Sequence, residues 1–299
     1  MHFVIAGASG FLGTRLTEHL TGQGHSVTRL VRRQARSDAE SQWDPYAGEI
    51  DDALIAASDV VVNLAGAPLI GNVHSKKWAH EVRTSRVSTT RLLALSVARA
   101  ARTSTKSPAF LAGSGVAWYG HGERQVTERS DSEGDALLTF VSREWESAAD
   151  PARAAGARVI HLRTSPVLDK DSSPLKQLRL LFWAGLGGRL GNGQQRFPVI
   201  SLRDWLAAVA FLATHDEVTG PVNLCLPEVP TNAEFTAALA RAVRRPALVP
   251  VPALALKLAA GHLSPELLGS IDATPEALLN AGFEFADPDI ESVLRTALR

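Results

Sequence analysis

Cysteine is almost absent from this chain of 299 residues, where Cys225 stands alone. A single thiol excludes an internal disulfide framework and a thiolate zinc cluster, and it suits a reducing compartment. Its simplest reading is a small buried hydrophobe. Net charge is missing as well, because 31 Lys and Arg balance 31 Asp and Glu. A dedicated nucleic-acid binder needs a cationic excess to displace counterions from phosphates, so no nucleic-acid partner is expected and any basic function must be local. Long apolar runs are also lacking. The longest, Trp205 to Ala213, is too short to cross a bilayer, so a soluble, cytoplasmic protein with no membrane partner is expected. The apolar start Phe3-Val4-Ile5-Ala6 has no basic flank and runs straight into a glycine pattern, which makes it a first strand rather than a signal peptide. The nine histidines contain no His-x-x-x-His spacing, and no metal site is expected.

What is present is ordinary globular composition, 45% hydrophobic and 21% charged, in a chain long enough for one large core or two unequal ones. Short β-branched runs alternate with helical stretches. Phe3 to Ala6, Ser26 to Val31, Asp59 to Leu64, Ala109 to Gly113 and Arg158 to Leu162 read as strands, and Leu12 to Thr21 and Thr89 to Arg102 as helices. A helix before Arg158 would carry Phe140 and Trp145 on one face. That rhythm predicts an α/β fold, a doubly wound parallel sheet of Rossmann type. Around Thr164 the texture turns to irregular glycine- and proline-rich stretches and then to Leu- and Ala-rich helices. The expected division is a dinucleotide domain over residues 1–165 and a smaller mixed substrate lobe over 166–299, with some segments free to return to the sheet. Thr231 with Glu234 forms a capping box, and Pro265 and Pro275 suit the first turns of helices. Asp204 reads as the cap of the helix over Trp205 to Ala213.

The most informative motif is Gly7-Ala8-Ser9-Gly10-Phe11-Leu12-Gly13, after a strand and before a helix. The first glycine permits a tight turn, the second a close approach of backbone to a pyrophosphate, and the third close packing of helix on strand. Amides at the helix start then supply an anion site. The second strand decides which dinucleotide. An NAD site usually ends this strand in a carboxylate for the ribose 2′-hydroxyl, and none stands in Val27 to Arg33. Arg32 and Arg33 instead suit a 2′-phosphate, so NADP(H) is preferred over NAD(H), with a solvated strand end as the alternative reading. Leu64, Ala65 and Gly66, after Asn63, are small enough to let a cofactor pass over the strand ends.

These residues resemble the extended short-chain dehydrogenase/reductase superfamily, in particular its atypical branch of nucleoside-diphosphate-sugar epimerases sometimes labelled cell-division inhibitors. Further markers are Trp43-Asp44-Pro45, Ser85-Arg86-Val87, Ser114 through Tyr119-Gly120, Trp145-Glu146, Arg163-Thr164, Gly191-Asn192-Gly193, Gly220-Pro221-Val222-Asn223 and Ala281-Gly282-Phe283. The resemblance implies an NADP(H)-type Rossmann domain with a C-terminal lobe closing over a substrate, and helix-to-helix homodimers. It also implies a Ser, a Tyr and a Lys four residues beyond the Tyr, acting on the substrate oxygen. Ser114 stands where the serine is expected. The Tyr-x-x-x-Lys pair should fall near Leu138 to Arg143, where Thr139 and Arg143 stand instead. Tyr119 is a candidate proton donor, with aromatic packing as the alternative. Ser201 replaces the branch's usual histidine.

Between Asp171 and Asp204 there are five cations and no acid. The glycines there, Gly185 to Gly193, could form an anion-binding concavity, with Arg189 and Arg196 as bidentate partners for a phosphorylated substrate. The reading that follows is an NADP(H)-dependent oxidoreductase or epimerase-like enzyme for a small, anionic or nucleotide-sugar substrate. The alternative is a catalytically silent NADP(H) sensor.

Overall fold

A computed structural model describes residues 1–69, 71–103, 107–247 and 250–299. Along the chain run strands β1 (His2–Ala6), β2 (Ser26–Val31), β3 (Glu40–Gln42), β4 (Val60–Asn63), β5 (Ala109–Gly115), β6 (Gln125–Val126), β7 (Val159–Thr164), β8 (Val167–Leu168), β9 (Ile200–Ser201), β10 (Gly220–Leu224) and β11 (Asp272–Ala273). Seven form one parallel sheet in the order β10-β7-β5-β4-β1-β2-β3, while β6 pairs with β11 and β8 with β9. The helices are α1 (Phe11–Gly22), α2 (Asp52–Ala57), α3 (Lys76–Thr103), α4 (Leu137–Ser147), α5 (Asp150–Ala154), α6 (Ser173–Trp183), α7 (Leu202–Thr214), α8 (Asn232–Val243), α9 (Ala253–Ala260), α10 (Ser264–Leu268), α11 (Glu276–Asn280) and α12 (Ile290–Ala297).

A parallel sheet covered on both faces needs strands that are apolar throughout, and β1 and β4 meet that demand. Alternation along β1 sends Phe3 and Ile5 into one core with Leu16 and Leu20 of α1 and Trp205, Val209 and Leu212 of α7. Val4 and Ala6 enter the other, with Ile55 of α2, Leu93 and Val97 of α3 and Ala152 of α5. A third core joins Leu175 and Phe182 of α6 to Phe235 and Leu239 of α8 and Val293 and Leu294 of α12. The chain winds outward from β1 to β3, then crosses back to lay β4 against the other side of β1, with Ala6 opposite Asn63. That reversal opens a crevice beyond the carboxyl ends of β1 and β4, where open α/β sheets take their ligands.

Several expectations need adjustment. α3 begins at Lys76, not near Thr89. Its first half is charged and buries only a narrow strip, Trp78, Val82 and Ser85, whose helical spacing was the available signal. Phe140 lies on the exposed side of α4, and the buried side carries Thr139, Val141 and Ser142. The cap of α7 is Ser201, whose hydroxyl accepts from the Asp204 amide. Asp204 itself sits inside the first turn and accepts from the amides of Ala286 and Asp287, both at 2.9 Å, tying α7 to the segment before α12. The Thr231–Glu234 capping box is present.

Candidate active site

The glycine turn is built by contact, not by spacing alone. Gly7 has φ +79°, and a side chain there would begin 2.5 Å from the carbonyl carbon of Leu64 and 2.6 Å from the amide of Ala65. The exit of β4 therefore lies directly on the turn. A Cβ at Gly13 would stand 2.2 Å from the carbonyl oxygen of Gly7, so α1 packs against the loop with no room to spare. Gly10 is the N-cap of α1, with no side-chain cap and no acid in the first turn. The amides that open α1 are thus left to a ligand, with the helix dipole favouring an anion. Ser9 and Gly10 are exposed, and Phe11 and Leu12 half-buried.

Leu64, Ala65 and Gly66 are held from behind. The Asn63 side chain accepts from the Ala65 amide at 3.0 Å and donates to Thr90 at 2.8 Å. Ser85 accepts from the Ala67 amide at 2.8 Å, and Arg86 donates to the carbonyls of Ala67 and Val82 at 3.1 and 3.0 Å. Arg86 lies 5.1 Å from the Trp145 ring centre. Desolvation pushes its pKa down to about 10, and it has no ion pair among the described residues. Ser85-Arg86-Val87 was visible as a marker, but its place beneath the β4 exit required the fold.

At the end of β2 the structure divides the arginine pair. Arg33 forks onto Glu40 with both bonds at 2.8 Å, and Arg29 reaches the same carboxylate at 3.0 Å. The Arg33 bond, aided by the Arg36 amide, holds the Glu40 carboxyl down to about 2. Arg32 is exposed and has no ion pair among the described residues. A carboxylate therefore does lie beside β2, brought by β3 from outside the stretch Val27 to Arg33. It arrives already neutralised by two guanidinium groups.

Beyond β5 the site becomes a buried network. The Ser114 hydroxyl donates to Glu146 at 2.7 Å, and Arg163 grips both oxygens of that carboxylate at 2.8 and 2.9 Å. Arg163 also donates to the Tyr119 hydroxyl at 2.9 Å, and Tyr119 donates onward to Asn223 at 2.8 Å. The guanidinium stacks 3.6 Å from the Trp118 ring centre. Tyr119 and Arg163 are each 2% exposed. Burial pushes the phenol up to about 12, despite the favourable Arg163 charge. The phenol is thus buried, with its hydroxyl engaged by Arg163 and Asn223.

On α4, Thr139 is fully buried with its hydroxyl unpartnered, and Arg143 donates to Ser132 and the Gly134 carbonyl at 2.6 and 2.8 Å. Ser142 faces the end of β5, its Oγ 3.8 Å from where a Cβ at Gly115 would stand. In the basic loop Arg189 is exposed with no ion pair among the described residues, whereas Arg196 donates to the Val229 carbonyl at 2.8 Å and lies 3.7 Å from Asp272. Cys225 is buried, its Sγ donating to Ala273. Among the described residues, no group of three or more His, Cys, Asp or Glu could hold a metal ion.

The glycine turn, the open start of α1 and the crevice between β1 and β4 define a dinucleotide-binding protein of the open α/β class. A family model described as the NAD dependent epimerase/dehydratase family matches residues 3–138, and one described as a domain of unknown function matches 251–297. An epimerase family protein of Mycobacterium bovis is 38% identical, covering 94% of this chain and 92% of its own. The crystal structure of human epimerase family protein SDR39U1 with NADPH aligns at TM-score 0.85 and 28% identity, covering 100% of both chains. The nucleoside-diphosphate sugar epimerase from Corynebacterium glutamicum aligns at TM-score 0.79 and 31% identity, with 100% of this chain matching 58% of that one. The chain belongs to the NAD-dependent epimerase/dehydratase family and has its NAD(P)-binding fold.

Proposed function

We propose that the protein binds NADP(H) in the β1–β4 crevice and acts with it on a small anionic substrate of the nucleotide-sugar kind. The observation that carries the cofactor preference is Arg32, exposed and without an ion pair among the described residues at the end of β2, while its neighbour Arg33 is spent on Glu40. NADPH in the human relative's structure supports it. Gly7, Ser9, Gly10, Phe11, Leu12 and Gly13 would hold the diphosphate, Leu64, Ala65 and Gly66 the floor beneath it, and Arg32 the 2′-phosphate. When bound, the cofactor supplies hydride transfer, and the protein supplies orientation and electrostatics. Arg189, exposed and without an ion pair among the described residues, would meet a substrate phosphate, and Arg196 would first have to loosen its hold on Val229.

Ser114 and Tyr119 serve as positioning residues in this reading, because both hydroxyls are committed to buried partners. Thr139 and Ser142, both buried, are the α4 hydroxyls nearest the position expected for the missing Tyr-x-x-x-Lys pair, and neither can ionise as a phenol does. That feature favours the second reading, an NADP(H) sensor without turnover. One experiment addresses both. NADPH and NADH are titrated into the protein and into Arg32→Ala, and the NADPH complex is then offered carbonyl compounds and nucleotide sugars. Loss of a charged hydrogen bond costs about 1.5–3 kcal/mol, so Arg32→Ala should weaken NADPH about 10- to 150-fold and leave NADH unchanged. A wild-type preference for NADH would overturn the cofactor assignment. Oxidation of bound NADPH by any substrate would overturn the sensor.

A further inference from the structure

The C-terminal lobe leaves one apolar edge uncovered. α6 buries Leu175 and Phe182, yet Leu180 is 72% and Trp183 62% exposed. Leu186, in the turn that follows, is 61% exposed. α9 has the sequence ALALKLAA and buries no residue, and its Leu254 and Leu258 are each 70% exposed. The segments that flank these elements meet. The Val251 amide donates to the Arg189 carbonyl and the Gly191 amide to the Val251 carbonyl, both at 2.9 Å, and the Arg245 guanidinium lies 5.6 Å from the Trp183 ring centre. Single exposed leucines need no explanation, but a cluster of this kind marks an interaction surface.

The segments that form it carry cations and no acid, while Asp171, Asp272, Glu291 and, on α10 against α9, Glu266 lie beside them. No acid occurs between Asp171 and Asp204, or between Glu234 and Glu266. Lys176, Arg196 and Arg241 in these segments reach Asp171, Asp272 and Glu291. Arg179, Arg189, Arg244, Arg245 and Lys257 have no ion pair among the described residues. A two-fold dimer through this edge would set the same cations against one another, because such an interface pairs a patch with itself. Exposed leucines and a tryptophan rimmed by unpaired Lys and Arg have the composition of a surface that settles at the headgroups of an anionic bilayer.

We propose that this edge, formed by the C-terminal half of α6, the turn at Leu186 and α9, docks the protein on anionic phospholipid surfaces. The apolar side chains enter the headgroup region while the unpaired cations meet lipid phosphates. Contact of this kind is peripheral, and no helix among the described residues is long and apolar enough to cross a membrane. It revises the expectation of no membrane partner, which rested on the absence of a spanning run.

The test is co-sedimentation of the full chain with vesicles of phosphatidylcholine alone and with vesicles enriched in phosphatidylglycerol. Each basic residue near an anionic surface contributes about fivefold, so even two engaged cations should raise the bound fraction at least about tenfold on the anionic vesicles, and high salt should remove the difference. Leu180→Ser with Trp183→Ser, and separately Arg179→Glu with Lys257→Glu, should each cut binding about tenfold. Neither pair should alter thermal melting or NADPH affinity, since all four side chains are exposed or half-exposed. The proposal is overturned if wild-type protein ignores anionic vesicles, if both double variants bind as wild type does, or if neutral vesicles bind equally. It is overturned too if sedimentation velocity finds a dimer that Trp183→Ser dissolves while vesicles carry down no protein.

Discussion

Glu146→Gln tests whether the network around Arg163 is a structural tie. Arg163 is a buried cation whose two bonds to Glu146, at 2.8 and 2.9 Å, are its only contacts with a carboxylate among the described residues. The neutral amide keeps the shape but offers one acceptor oxygen in place of two and no charge. Removing one partner of a buried pair costs about 3–5 kcal/mol, because the other is left uncompensated. Unfolding entropy of roughly 2.1 cal/mol/K per residue gives about 0.6 kcal/mol/K for a chain of this length, so Tm should fall by about 5–8 °C in differential scanning calorimetry. Tyr119→Phe should cost less, about 2–3 kcal/mol, since it unpairs Asn223 and one Arg163 nitrogen. Ser114→Ala should cost only about 1 kcal/mol, because Arg163 still satisfies the carboxylate. NADPH affinity should hold across all three. A Glu146→Gln protein melting within about 1 °C of wild type would refute the tie, as would a Ser114→Ala protein that loses turnover with its Tm intact.

Three further outcomes are expected. Gly13→Ala forces a Cβ to within 2.2 Å of the Gly7 carbonyl, so the turn must open; overpacking of this kind costs about 1–3 kcal/mol or more, and a melt together with lost NADPH binding would check it. Arg33→Met removes the main partner of Glu40, so the Glu40 carboxyl should titrate well above its present value of about 2 in an NMR pH series, while NADPH affinity falls far less than in Arg32→Ala. The third concerns alkaline pH. Burial holds the Tyr119 phenol at about 12, against about 10 in the unfolded chain. Between these values the native state keeps a proton that the unfolded state releases, so this contribution is complete below about pH 10 and is lost as pH rises toward 12. Urea unfolding from pH 8 to 11 should show that decline in wild type and a flatter limb in Tyr119→Phe; parallel curves would refute it.

The cofactor half of the site was legible because local demands dictated it. A turn with positive φ, a helix start free of acids and apolar strands buried on both faces are properties of adjacent residues, and they appear as Gly7, Gly10, Gly13 and the run Phe3 to Ala6. The residues of the other half stood in view as markers, but their connection was not legible, because it is assembled across the fold. Glu146 belongs to α4, Arg163 to β7, Ser114 to β5 and Asn223 to β10, and no spacing in the chain relates them. Arg86 stood in view as a marker without a place. Thr139 and Arg143 marked the missing Tyr-x-x-x-Lys pair, yet only the packing of α4 showed one hydroxyl buried without a partner and the guanidinium turned to Ser132 and Gly134.

By itself the sequence determined the class of fold and the dinucleotide turn, since each follows from residue type and short-range order. The tertiary structure alone decided what the charges and hydroxyls do. Arg32 and Arg33 are neighbours in the chain, but β3 brings Glu40 to one and leaves the other exposed, with no ion pair among the described residues. Ser114 and Tyr119, candidates for chemistry in the sequence, are tied by the fold to Glu146, Arg163 and Asn223. The zero net charge likewise conceals two long segments without an acid, because charge balance is a sum over the chain and an electrostatic surface is set by which residues the fold places side by side.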